Sequence, residues 1–382
     1  MWNEIKNIKI WHKTVVAVLV TAFFTSACIE PFSPPETNSD EGNLVVDGFL
    51  NLGDTSVIQL RHTQNINDAS SNLSSQLIET KAKLSVKTGT GETYDFIESD
   101  GGKYILPPKN FRQSGTYQLS IRTLNGKEYL SDAVSVILTP AIDSVAYRYD
   151  ANRDAMVISV NTHDPKNSTR FYRWKFEETH EYRAAFYSGL KVDPIKKEIV
   201  SRTEDINLCW QTRNSGGIVL GSTIKLSSDI IKDLPINVVP IYTNKFYIKY
   251  SILVKQYGLS REGFEYWTSL AKTTQGTGSL FDPLPSLVTG NIRSVSDPKE
   301  LVFGFFSAST EAKKRIFMSP GLGRYPHCEA PDTLLIGDAI KDNKQYLLNY
   351  FGEQSEFVLS SSPGCTDCRT QGGTTRRPPF WE

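Results

Sequence analysis

The stretch KAKLSVKTGTGETYDFIE, residues 81–98, decides the fold. Polar and apolar side chains alternate through 81–88, with Leu84 and Val86 on one parity. The glycines of 89–91 then turn the chain, and 92–98 alternates back. Successive side chains of a strand point to opposite faces, so such a pattern buries one face of a hairpin and wets the other. TGTGET, residues 88–93, has the look of a phosphate-cradling loop, but no helix follows it. A hairpin turn is the consistent reading.

The same grammar extends in both directions. NLVVDGFL (43–50) and TSVIQLR (55–61) flank the turn Gly53-Asp54, and DGGKYIL (100–106) supplies a turn and a strand. SGTYQLSIRT (114–123) and KEYLSDAVSVIL (127–138) flank Asn125-Gly126, the strongest short hairpin signal. Short strands at this spacing predict a β-sandwich of the immunoglobulin or transthyretin kind over 42–140. TPAIDSV (139–145) marks a junction, and a larger β-rich domain, barrel- or sandwich-like, is predicted over 141–352. One helix stands out there. Ser260 is placed as its N-cap, Phe264, Trp267 and Leu270 or Ala271 share a face, and Gly276 lies past the end. A second short helix is predicted over SSDIIKDL, 227–234. LVFGFFSAS (301–309) reads as a buried strand with Gly304 allowing a close approach. The Gly-, Pro-, Cys- and Thr-rich stretch 353–382 reads as a disulfide-pinned tail lying over the second domain.

The chain opens with its own signal. Lys6, Lys9 and Lys13 stand against a single acid, Glu4, and precede the apolar run TVVAVLVTAFF, 14–24. Thr25, Ser26 and Ala27 then lead to Cys28. This order is that of a secretory signal over 1–27, and the run is too short to cross a bilayer core of ~30 Å. Small residues before a cysteine resemble a bacterial lipobox, so Cys28 is the expected lipidation site. Residues 28–41 are then the tether, and the chain is anchored to the membrane without crossing it.

Composition limits the function. The 42 basic and 42 acidic residues lose three lysines and one glutamate with the signal, leaving a net of −2. No basic excess exists for nucleic acid. Cys209, Cys328, Cys365 and Cys368 form an even set in an exported chain, which favours disulfides in one of three pairings. A zinc site is the rival reading, since Cys365 and Cys368 make a C-x-x-C and His327-Cys328 lies upstream. Enzyme signatures are missing: there is no H-E-x-x-H, G-x-S-x-G or Walker loop. His163-Asp164 and His180-Glu181 are adjacent pairs, which on a strand point apart. The reading is therefore non-enzymatic, with no cofactor and no metal.

Recognition is left. Trp174, Trp210, Tyr266, Trp267, Phe380 and Trp381 are the aromatics suited to stacking on sugars. Trp267 is assigned to the core and Trp210 to a place beside a disulfide. RPPFWE at the C-terminus is read as a latch onto its own domain or an anchor into a partner. The rigid loop FDPLPS (281–286) and the polar loop 65–76 are candidate contact surfaces. The named contact candidates are Phe281, Asp282, Pro283, Leu284, Pro285, Phe380 and Trp381.

LVVDGFL, YWTSLAKTTQGTGSLFDPLPSLVTGNI (266–292), LVFGFFSAST (301–310) and CTDCRTQGGTTRRPPFW (365–381) together resemble a family of Bacteroidota lipoproteins catalogued as domain of unknown function 4249 (DUF4249). The sandwich separately resembles transthyretin-like and carboxypeptidase regulatory-like modules, which bind or space rather than catalyse. The family resemblance implies an outer-membrane lipoprotein, often associated with TonB-dependent-receptor-like barrels, and it carries over no catalytic residue. The expected function is an accessory subunit of an integral outer-membrane β-barrel complex, in transport or barrel assembly. The alternative is a surface lipoprotein that captures a glycan, peptide or metal chelate for a TonB-dependent transporter. Glu30, with Glu36, Asp40 and Glu41 beyond it, tilts the expected location toward the cell surface without choosing a leaflet.

Overall fold

The computed structural model describes residues 42–64, 77–276, 287–322, 327–352 and 355–382. Hairpins read from sequence build its first half. Strands Leu44–Gly48, Ser56–His62, Lys103–Leu106 and Ile97–Ser99 form one sheet in that order. The second sheet runs Leu50–Asn51, Ala308–Ser309, Val134–Ile137, Thr116–Arg122, Lys83–Thr88, Thr93–Asp95. The hairpin of 81–98 pairs Lys87 with Thr93, and Gly91 takes the positive φ of 94° that the turn requires. Leu84 and Val86 face the interior opposite Ile121 and Leu119, and meet Leu44, Ile58, Leu60 and Tyr104 of the other sheet in one core.

The sandwich is completed from outside 42–140, which corrects the boundary drawn from sequence. Residues 291–309 return to it: Ile292, Val302, Phe306 and Ala308 lie in the sandwich core. Ala308–Ser309 pairs in parallel with both Leu50–Asn51 and Val134–Ile137, filling a gap that no local hairpin supplies. LVFGFFSAS is strand only at its end, with Phe303 bridging to Val45. The approach there is as close as the glycine suggested, since a Cβ on Gly304 would sit 2.0 Å from the Val46 carbonyl oxygen. Residues Asn43–Glu382 consequently form one compact unit rather than two separable ones.

The rest is built of three further sheets. Strands Ile142–Asp150, Ala155–Asp164 and Asp229–Pro240 form a sheet that packs on a five-stranded one. The latter comprises Leu208–Asn214, Phe171–Arg183, Lys249–Gly258 and Glu311–Met318 in order, with Val219–Ser222 alongside the start of Phe171–Arg183. The helix predicted over 227–234 is strand instead. Ile231, Ile236 and Val239 reach the core from Asp229–Pro240, and Pro235 biases Leu234 toward extended backbone. A small third sheet joins Glu198–Ser201, Leu190–Asp193, Leu347–Tyr350, Phe357–Ser360 and Asp332–Leu335, so part of the expected tail is a strand. Among the described residues the single long helix is Arg261–Thr274, where Ser260 Oγ accepts from the Gly263 amide at 3.1 Å. The fold is mainly β, sandwich-built, with a few helices.

Candidate binding surfaces

The five-stranded sheet has two unlike faces. Tyr172, Trp174, Tyr250, Ile252 and Val254 fill the inner one, and Trp174 Nε1 donates to Gln256 Oε1 at 2.8 Å. The outer face follows from the register. Arg173, Tyr257 and Glu311 form one cross-strand row; Lys175, Lys255 and Lys313 form the next; Glu177, Leu253 and Arg315 form a third. Lys313 Nζ is held by Asp54 at 2.8 Å and Glu311 at 2.7 Å. Arg315 pairs with Glu177 at 3.2 Å. Lys175 and Lys255 have no such acid among the described residues.

Arg173 lies over the Trp267 ring with its Cζ 3.3 Å from the centroid, a cation–π contact, while its Nε is buried with no acceptor. Burial brings its guanidinium down to about 10, and burial followed by the charge of Arg173 holds Lys175 below the usual lysine range. The sandwich closes one side of this crevice: Phe49 packs edge-on against Tyr257 at 5.1 Å, and the Tyr257 hydroxyl donates to Glu311 at 2.6 Å. Trp267, assigned to the core from helical spacing, is half-buried and forms part of this wall. Its neighbour Tyr266 stacks on Phe305 at 5.4 Å.

The C-terminus covers the other end of the same face. Trp381 is buried edge-on against Phe317 at 5.6 Å, and its Nε1 donates to Glu181 Oε2 at 2.8 Å. Arg315 lies over the Phe380 ring at 3.5 Å. Both aromatics therefore pack on their own sheet. The pairings are Cys209–Cys368 and Cys328–Cys365. Tyr182 seals the first by donating from its hydroxyl to the Cys368 carbonyl at 2.7 Å. Trp210, next to Cys209, is buried. No group of metal-binding side chains occurs among the described residues. Cys28, the loop 65–76 and Phe281, Asp282, Pro283, Leu284 and Pro285 lie outside the described residues.

The histidine–acid neighbours do not pair with each other. His163 Nδ1 meets Asp143 at 2.7 Å, which raises its pKa, while Asp164 accepts from the amides of Lys166, Ser168 and Thr169 and is lowered to about 2. His180 is buried and its Nε2 has no partner; desolvation, then Lys245, lowers it to about 4. Near it Glu178 is ion-paired with Lys245 and accepts from the Tyr250 hydroxyl at 2.8 Å. Glu178 also lines an open depression of about 430 Å³ with Phe176, Asn214, Gly217, Ile236 and Asn237.

An apolar end of the third sheet is exposed. Leu335 is 45% exposed, Phe351 58% and Phe357 41%. Leu335 pairs directly with Phe357, and the Phe351 amide donates to the Phe357 carbonyl, so the three are neighbours. Sequence reading missed both: the cluster because strand pairing brings its side chains together, and the lysine row because register joins strands far apart in the chain.

The architecture is that of a mainly β protein built from packed sheets, with its distinctive side chains on outer faces and sheet ends. The chain belongs to the family described as domain of unknown function (DUF4249), whose model matches residues 29–315. A two fibronectin type-III domain segment from chicken tenascin is similar at 12% identity over 56% of this chain and 89% of its own, with a TM-score of 0.17. The Yersinia pseudotuberculosis adhesin InvE is similar at 13% identity over 56% of this chain and 57% of its own, with a TM-score of 0.14. Neither likeness bears on function. No curated protein matches the chain. No helix among the described residues is long and apolar enough to cross a membrane.

Proposed function

We propose that this protein is a lipid-anchored outer-membrane protein that works by recognition, docking as an accessory subunit on an integral β-barrel partner of the TonB-dependent-receptor-like or assembly class. The anchor is Cys28, and the tether 28–41 gives the folded unit its reach. The observation that supports docking is the exposed cluster of Leu335, Phe351 and Phe357. Contiguous apolar side chains on a surface mark contact sites, and aromatics are enriched at the centres of interfaces. No core role holds these side chains at the sheet end. A mild-detergent purification from native membranes tests the reading. A large β-barrel in stoichiometric amount is expected with the wild-type chain and is lost with Phe351→Asp/Phe357→Asp. Both side chains are exposed, so an unchanged melting temperature shows that the variant still folds. A wild-type chain that purifies alone, or a variant that keeps the barrel, overturns the docking assignment.

A further inference from the structure

The outer face of the five-stranded sheet holds an arrangement that docking does not require. Lys175 and Lys255 sit directly opposite one another on neighbouring strands, and Arg173 precedes Lys175 by one alternation on the same face. Opposed residues of an antiparallel pair have Cα atoms about 5 Å apart, and like charges placed so repel. Lys313 continues the row but is answered by Asp54 and Glu311. The other three cations have no close ion pair among the described residues; Asp47 is near enough to favour the charge of Arg173 and Lys175 but does not pair with either. Arg173 keeps a buried Nε–H without an acceptor, an arrangement proteins rarely leave unmade. Its planar fork matches a carboxylate or phosphate, and Trp267 beneath fixes its orientation.

The rim sets the size of the ligand. Asp54 and Glu311 border the crevice on one side, and the Glu177–Arg315 pair borders it on the next row. A long polyanion laid across the sheet would meet those acids; a compact one held by Arg173, Lys175 and Lys255 would have Asp47 as its nearby acid and avoid the others. Phe49, Tyr257 and Trp267 supply apolar walls for its carbon skeleton. We propose that this crevice binds a small polyanion bearing two or more carboxylate or phosphate groups. Arg173 takes one group through its fork, and Lys175 and Lys255 take the next. The site is separate from the apolar end of the third sheet, so either assignment can fail without the other.

Titration calorimetry of the full lipoprotein in detergent, in buffer free of phosphate and carboxylate, tests this with citrate and pyrophosphate as probes. Saturable binding of at least one probe is expected, with a Kd below about 1 mM. Lys175→Met/Lys255→Met should weaken it by about tenfold or more, while Lys249→Met, on the same face beneath the C-terminal latch, leaves it unchanged. Binding of citrate alone assigns carboxylates, of pyrophosphate alone phosphates, and of both a site that reads charge. No heat with either probe up to about 10 mM, or equal affinity in the double variant, overturns the proposal.

Discussion

The two faces of the five-stranded sheet share every backbone hydrogen bond and almost nothing else. On the inner face polar groups find partners, as Trp174 does in Gln256 and Tyr250 does in Glu178, with His180 Nε2 the exception. On the outer face, cations stand opposite cations, and a buried arginine nitrogen has no acceptor. Alternation makes this possible, since one strand can serve a core with its even residues and a binding surface with its odd ones. The inner face accounts for stability. The outer face carries the proposed anion site.

Substitutions sharpen the contrast. The largest effect belongs to the inner face. Trp174 is fully buried, and Trp174→Ala leaves a cavity and Gln256 Oε1 without its donor, for an expected loss of about 3–5 kcal/mol in urea unfolding. A loss under about 1 kcal/mol would break the comparison at its stronger end.

His180 is next. Its folded pKa of about 4 lies below the unfolded value of about 6.5, so the unfolded state binds the proton first. Stability from its neutral form is complete above about pH 6.5 and is lost as pH falls toward 4, up to about 3 kcal/mol. His180→Gln should flatten the pH dependence of stability across that window, measured as the urea midpoint at pH 7 and pH 4. An unchanged slope would remove His180 from the inner-face account.

How much of this was legible in the sequence follows the range of the interactions. The sandwich hairpins, the Ser260 cap and the single long helix were legible because alternation, turn glycines and caps act within a few residues. The return of 291–309 was not, since nothing local tells Ala308 that its partners are Leu50 and Val136. SSDIIKDL looked helical because its apolar spacing fits both periods, and its pairing with Ala155–Asp164 decided the outcome. Cysteine parity pointed to disulfides but could not choose Cys209–Cys368 over the alternatives. The basic site was hidden most deeply. Lys175, Lys255 and Lys313 are unremarkable lysines in three distant strands until register places them in one row.

The smallest expected effect is also the most direct test, because its sign separates a structural lysine from one kept for a ligand. Thermal unfolding of Lys175→Met/Lys255→Met in anion-poor buffer should give a Tm about 2 °C above the wild type, as the opposed charges and the buried ammonium are removed while the stems still pack. A fall of about 4 °C or more would mean that these lysines hold the sheet together, and would contradict the division of labour between its faces.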